Sequence, residues 1–180
     1  DGFITEVAET LAAEGAAAER EAYSLKEWRN LPPELSAGEM EEKVRSSAAA
    51  AGLSVLSMEA VEVPEEENVF RLKLRDGTAA WAKVAGRAKV CNVCHDIFFI
   101  LIVDGGGRVL NFTPIVVTKY ENELISEEEA AFLRGRVTGL SIREPVVFDS
   151  EVDAISQATM SSELIFDTMR RLGKNLTELH

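Results

Sequence analysis

The chain has 180 residues, a net charge of −12 and 46% hydrophobic residues, a composition typical of a folded globular protein. No basic stripe occurs along it, so the charge argues against nucleic acid and against an anionic membrane surface as partners. The longest apolar run, residues 97–103, is too short to span a bilayer and predicts a strand buried on both faces. The numbering begins at Asp1 rather than at a Met, so we expect a processed chain.

The first half, residues 1–85, is predicted to form a module of helices and an antiparallel β-meander, to which we assign no role. Ser36 and Glu39 have the spacing of a capping box and open a helix that Gly52 ends. Alternation of apolar and polar residues predicts the strands, and Asp76-Gly77 is a hairpin signal. The predicted elements are a helix at 3–19, a strand near 23–31, a helix at 36–51, a strand at 55–63, a turn at 64–68 and strands at 70–75 and 79–84.

The second half, residues 86–180, is predicted to place two strands before two helices. Ser126 and Glu129 repeat the capping-box spacing, and Gly173 is predicted to stop the last helix. Strands followed by segregated helices indicate an α+β fold, an antiparallel sheet with helices packed on it. The predicted elements are a loop at 85–95, strands at 96–103 and 109–117 around a turn at 104–107, a helix from 126 to Gly139, and a final helix entered through 153–162.

Small and hydroxylated residues crowd the entrance of the last predicted helix. A helix amino terminus offers unpaired N–H groups and the positive end of the helix dipole, and short side chains would let a phosphate approach the backbone. The alternative interpretation is a plain helix cap, which favours the same residue types. The candidate ligand-binding residues are Ser156, Ala158, Thr159, Ser161 and Ser162.

The stretch from Val152 to Ser162, VDAISQATMSS, resembles the flavinylation signature of bacterial extracytoplasmic FMN-binding domains. That signature reads Asp, two variable residues, Ser or Thr, Gly, Ala, Thr, one variable residue, Thr or Ser. The resemblance covers residues 86–180 and implies FMN joined by a phosphoester to Thr159 through the action of a flavin transferase. The matching positions are Asp153, Ser156, Ala158, Thr159 and Ser161.

Gln157 stands where the signature has glycine. Glycine usually supplies a positive φ or room for a ligand to approach the backbone, and we expect glutamine to supply neither. This substitution favours loss of the flavin in a chain that keeps the fold.

The segment Cys91-Asn92-Val93-Cys94-His95 has several possible meanings. It could carry haem c, with thioethers from Cys91 and Cys94 and with His95 as an axial iron ligand. It could also be a redox-active dithiol, half of a metal site that includes His95 and Asp96, or a plain disulfide. A sixth haem ligand would come from Met58, Met160 or His180.

The resemblance implies an extracytoplasmic electron-transfer protein of the periplasm or cell surface, a carrier rather than a stand-alone enzyme, and we assign no catalytic residue. Its cofactors would be FMN, haem c or a redox-active dithiol at the cysteines. Its partners would be redox proteins, membrane-associated ones included, and a flavin transferase. The alternatives are a redox-inert binding or sensory module without flavin, and a thiol–disulfide exchanger acting through Cys91.

Overall fold

A computed structural model describes residues 35–87, 96–119 and 123–176 of the chain. These residues form a five-stranded antiparallel sheet in the order β1-β2-β3-β4-β5 and three helices, which confirms the predicted α+β class. The elements are α1 (Ala37–Ala50), β1 (Val55–Val63), β2 (Glu66–Leu74), β3 (Ala79–Arg87), β4 (Ile97–Asp104), β5 (Val109–Val117), α2 (Glu127–Val137) and α3 (Thr159–Leu176). The predicted helix at 3–19, the predicted strand near 23–31 and the cysteine segment lie outside the described residues.

Both predicted capping boxes are confirmed. Ser36 and Glu39 exchange side-chain and backbone hydrogen bonds at the start of α1, and Ser126 and Glu129 do the same at the start of α2. Each box satisfies amide groups that a helix leaves unpaired in its first turn.

The two faces of the sheet carry separate apolar cores. On one face, α1 packs through Val44 and Ala48 against side chains such as Leu72 and Ile102. On the other face, α2 and α3 pack against the remaining apolar side chains of the strands. Strand β4 supplies buried residues to both cores, which confirms the prediction of a strand buried on both faces.

The boundary predicted after residue 85 falls inside β3. Strand β3 pairs with β4 from Ala80 opposite Asp104 to Arg87 opposite Ile97. The strands of the two predicted modules therefore belong to the same sheet.

Two predicted boundaries are wrong. The predicted stop at Gly173 fails because α3 continues to Leu176. A Cβ on Gly173 would lie 1.8 Å from the carbonyl oxygen of Ile142, so this glycine permits close packing of the helix rather than ending it. The turn predicted at 64–68 is shorter, because β2 already begins at Glu66.

Within the described ranges, no helix combines the length and the apolarity that a membrane crossing requires.

Candidate functional site

The amino end of α3 presents an accessible threonine. Thr159 is the first residue of the helix, and its side chain is exposed, as are those of Ser156 and Gln157. In the same segment, Ile155 and Ala158 are buried. The segment therefore lies on the surface of the protein, and these two buried residues anchor it to the core.

Gln157 adopts a left-handed backbone conformation, with φ of 64°. A side chain at such an angle costs about 1 kcal/mol, and glycine is the residue that adopts it freely. The expectation that glutamine would not supply a positive φ is therefore wrong. The backbone at Gln157 has a conformation that glycine adopts freely. The difference from a glycine at this position is therefore the exposed side chain.

Ser162 holds this turn against the helix. Its side chain is fully buried, and its Oγ accepts a hydrogen bond from the N–H of Ile155 at 3.2 Å. The same hydroxyl donates to the carbonyl oxygen of Ala158 at 3.1 Å. Both ends of the segment that contains Gln157 are therefore fixed by one side chain, which positions the turn from the protein interior.

Ser161 points to the sheet. Its side chain is 3% exposed, and its Oγ donates to the carbonyl oxygen of Thr118 at 3.3 Å. Of the predicted ligand-binding residues, Ser161, Ser162 and Ala158 are thus buried, whereas Thr159 and Ser156 reach solvent.

Asp153 fastens the segment before the turn to α2. Its Oδ1 accepts from Nε of Arg136 at 2.8 Å, and Nη2 of Arg136 also contacts this oxygen. Its Oδ2 accepts from the N–H of Asp149 at 2.9 Å. The side chain is buried and paired, so the structure gives Asp153 an internal contact that orients the approach to α3.

Cys91, Cys94 and His95 lie outside the described residues, but the residues that flank their segment are placed. Arg87 ends β3 and pairs with Ile97 of β4. Asp96, which follows His95, accepts a hydrogen bond from the N–H of Thr118 at 2.9 Å. Because Ser161 contacts the carbonyl of the same Thr118, the residue after the cysteine segment and the amino end of α3 meet at one end of the sheet.

The two methionines proposed as haem ligands lie in different places. Met160 is the second residue of α3 and is 41% exposed. Met58 lies on β1 and packs against the core on the α1 face. His180 lies outside the described residues. Of the two described candidates, only Met160 adjoins a residue, Ser161, that contacts Thr118.

The residues present at the start of α3 fit a covalently attached phosphate ester. The hydroxyl of Thr159 is accessible, and the first backbone bond that closes the helix runs from the N–H of Ser162 to Ala158. The amides of Thr159 and Met160 precede that bond and have no partner within the helix. An ester on Thr159 would therefore lie at the positive end of an 18-residue helix.

A buried ionic network, which was not predicted from the sequence, lies on the face of the sheet that α3 covers. The carboxylate of Glu66 is 1% exposed and pairs with Nζ of Lys83 at 2.9 Å and with Nη1 of Arg171 at 3.0 Å. Arg171 also pairs through Nε with Asp167 at 2.8 Å. These four charges cancel, and the half-exposed Arg170 also pairs with Asp167 at 3.5 Å. The network joins β2, β3 and α3.

Burial lowers the pKa of Lys83 from its ordinary value, although the neighbouring Glu66 opposes the shift. A small cleft of about 20 Å³ beside the network has room for about one water molecule. Since each charge already has a partner, we interpret the network as a structural connection. The sequence signals were weak: a lysine among small apolar residues on β3, and an Asp–Arg pair four residues apart on α3.

Within the described part of the chain, no three His, Cys, Asp or Glu side chains are grouped to hold a metal ion. Comparison with protein-family models, with curated proteins and with solved structures finds no match to this chain.

Proposed function

We propose that this chain is an extracytoplasmic electron-transfer protein that carries FMN on Thr159. The observation that carries the proposal is the accessible Thr159 at the start of α3, two residues after a backbone turn at φ of 64°. Glycine, which the flavinylation signature has at this position, adopts such a φ freely. FMN would supply one- and two-electron transfer when bound.

The chain's own residues would bind and orient the group. Thr159 provides the ester oxygen, and the amides at the start of α3 stabilise the phosphate charge. Ser162 and Asp153 hold the turn and the segment before it in place from the interior. The protein thus sets the position of the redox group and its electrostatic surroundings.

A second redox centre at Cys91, Cys94 and His95 belongs to the same proposal. Asp96, the residue that follows that segment, contacts Thr118, and Thr118 contacts Ser161 at the amino end of α3. Haem c or a dithiol at those cysteines would give the chain a second redox group beside the flavin of Thr159.

The alternative function is a redox-inert binding or sensory module. Gln157 favours it, because a long exposed side chain stands there in place of the glycine of the signature, two residues before Thr159. The buried hydroxyls of Ser161 and Ser162, which bond to the protein itself, favour it as well.

The visible absorption spectrum of the protein separates these functions, when it is made in a secretion-competent host that contains a flavin transferase. A flavin band supports the proposal, and a Soret band adds haem c at the cysteines. A protein with neither band, and with cysteines that do not cycle between thiol and disulfide, supports the redox-inert module.

A further inference from the structure

Two exposed large apolar side chains, those of Leu124 and Met160, belong to segments that contact Thr118. Leu124 forms an isolated β-bridge with Thr118 and is 63% exposed. Met160 precedes Ser161, whose hydroxyl contacts the carbonyl of Thr118, and is 41% exposed. Large apolar groups that share a small area of surface often mark a place where another molecule binds.

Acidic side chains border these two residues. Glu127 and Glu128 begin α2 shortly after Leu124, and Glu163 follows Met160 by three residues on the same side of α3. All three are exposed, and they make no ion pair with any described residue. The nearby Lys119 is already paired with Glu129 at 3.0 Å. We call this surface of Leu124, Met160, Glu127, Glu128 and Glu163 the Thr118 patch.

We propose that the Thr118 patch binds a partner protein that presents an apolar centre ringed by lysine or arginine. An apolar centre with a charged rim is the ordinary anatomy of a transient interface. Charge complementarity selects the occupant: the rim of the patch is acidic, so a basic rim on the partner is attracted over a distance and aligned on contact. A second copy of this chain would bring acid against acid and is disfavoured.

The role of the patch rests on the proposed function, because the patch adjoins Thr159. A redox partner seated on Leu124 and Met160 would lie beside the group attached to that threonine. Weak, fast exchange is expected, since electron-transfer complexes have small interfaces.

The test is calorimetric titration of the full chain with a lysine-rich c-type cytochrome whose haem edge is exposed. We expect binding at low ionic strength that weakens at least tenfold, as an order of magnitude, when salt rises from about 10 to about 200 mM. L124S and M160S should each weaken it by about fivefold or more. The matched control is L56S, because Leu56 is 57% exposed on β1, the strand at the other edge of the sheet, and L56S should bind as the native chain does.

The acidic rim has its own pair of variants. E127Q/E128Q should weaken binding at low salt and flatten its salt dependence. E41Q/E42Q removes the same charge from α1, on the opposite face of the sheet, and should have a much smaller effect. Equal affinities for the two double variants would overturn the proposal, as would the absence of binding at low salt.

Self-association gives a further outcome. Concentration-dependent sedimentation of the native chain that L124S abolishes would assign the patch to a second copy and overturn the proposal. Calorimetry detects binding whether or not a cofactor is attached. Binding at the Thr118 patch and electron transfer through FMN can therefore be disproved separately. Patch-dependent binding by protein that has no flavin, no haem and no cycling cysteines keeps the patch and removes the electron-transfer function, whereas a flavin-bearing chain that does not bind does the reverse.

Discussion

The hydroxyl of Ser162 accepts a hydrogen bond from the backbone N–H of Ile155 at 3.2 Å. Seven residues separate the two, and between them lies the turn that carries Gln157 and Thr159. A fully buried side chain thus sets the shape of an exposed segment.

S162A should lower the free energy of unfolding by about 1–3 kcal/mol, because it leaves the amide of Ile155 without a buried partner. Urea denaturation measures the change. S156A is the control, since Ser156 is exposed, and it should stay within about 0.5 kcal/mol of the native chain. Equal losses in both variants would show that the hydroxyl of Ser162 does not hold the turn.

The stability of variants at position 157 should depend on how readily each new residue adopts the left-handed backbone conformation. Q157G removes a left-handed penalty of about 1 kcal/mol but adds a similar loss of chain entropy, so its stability should stay close to that of the native chain. Q157V places a β-branched residue at φ of 64° and should cost about 1–2 kcal/mol. Thermal denaturation of both variants, with S156V as the neighbouring control, tests the conformation. A Q157V protein as stable as S156V would exclude the left-handed turn.

Two helical glycines should respond to alanine in opposite directions. G173A places a Cβ against the carbonyl of Ile142 and should lower the free energy of unfolding by about 1–3 kcal/mol. Gly135 lies in α2, and a Cβ there meets nothing within 4 Å, so G135A should raise stability by about 1 kcal/mol. Chemical denaturation of the pair tests whether α3 packs closely through Gly173. Stabilisation by G173A would mean that it does not.

The buried lysine should make stability depend on pH in the alkaline range. Burial lowers the pKa of Lys83 below 10.5, so between the folded and unfolded pKa values the unfolded chain binds more protons. The free energy of unfolding of the native chain, relative to K83M, should therefore rise with pH through that window and level off above it. The rise is about 1.4 kcal/mol for each unit by which the pKa is lowered.

Urea titrations of the native chain and K83M from neutral to alkaline pH measure this difference. K73M is the control, because Lys73 is exposed on β2 outside the network. A difference between the native chain and K83M that falls as pH rises would contradict the burial of Lys83.

Local patterns predicted most of the described fold because they report local physics. The alternation of Phe70, Leu72 and Leu74 with charged residues states which face of β2 is buried, and the structure has those three side chains inside. The capping boxes at Ser36 and Ser126 fix where two helices begin.

The errors come from contacts between residues that are distant in sequence. The local sequence around Gly173 predicts the end of a helix. Its role is instead to let α3 pack closely against the carbonyl of Ile142, 31 residues earlier. Glu66 belongs to an acidic run of a kind that is usually exposed to solvent. It is nevertheless buried and paired with Arg171, 105 residues away. Sequence placed Thr159 in a candidate site, but it could not show that Ser161 and Ser162 turn inward while Thr159 stays accessible.

Intact-mass spectrometry tests the attachment of FMN to Thr159 most directly. The protein and the variants T159A and S156A would be produced in a secretion-competent host with a flavin transferase. We predict that the native chain and S156A gain the mass of FMN less one water, and that T159A does not. An adduct of the same mass that persists in T159A, or a native chain that carries none, would contradict the assignment.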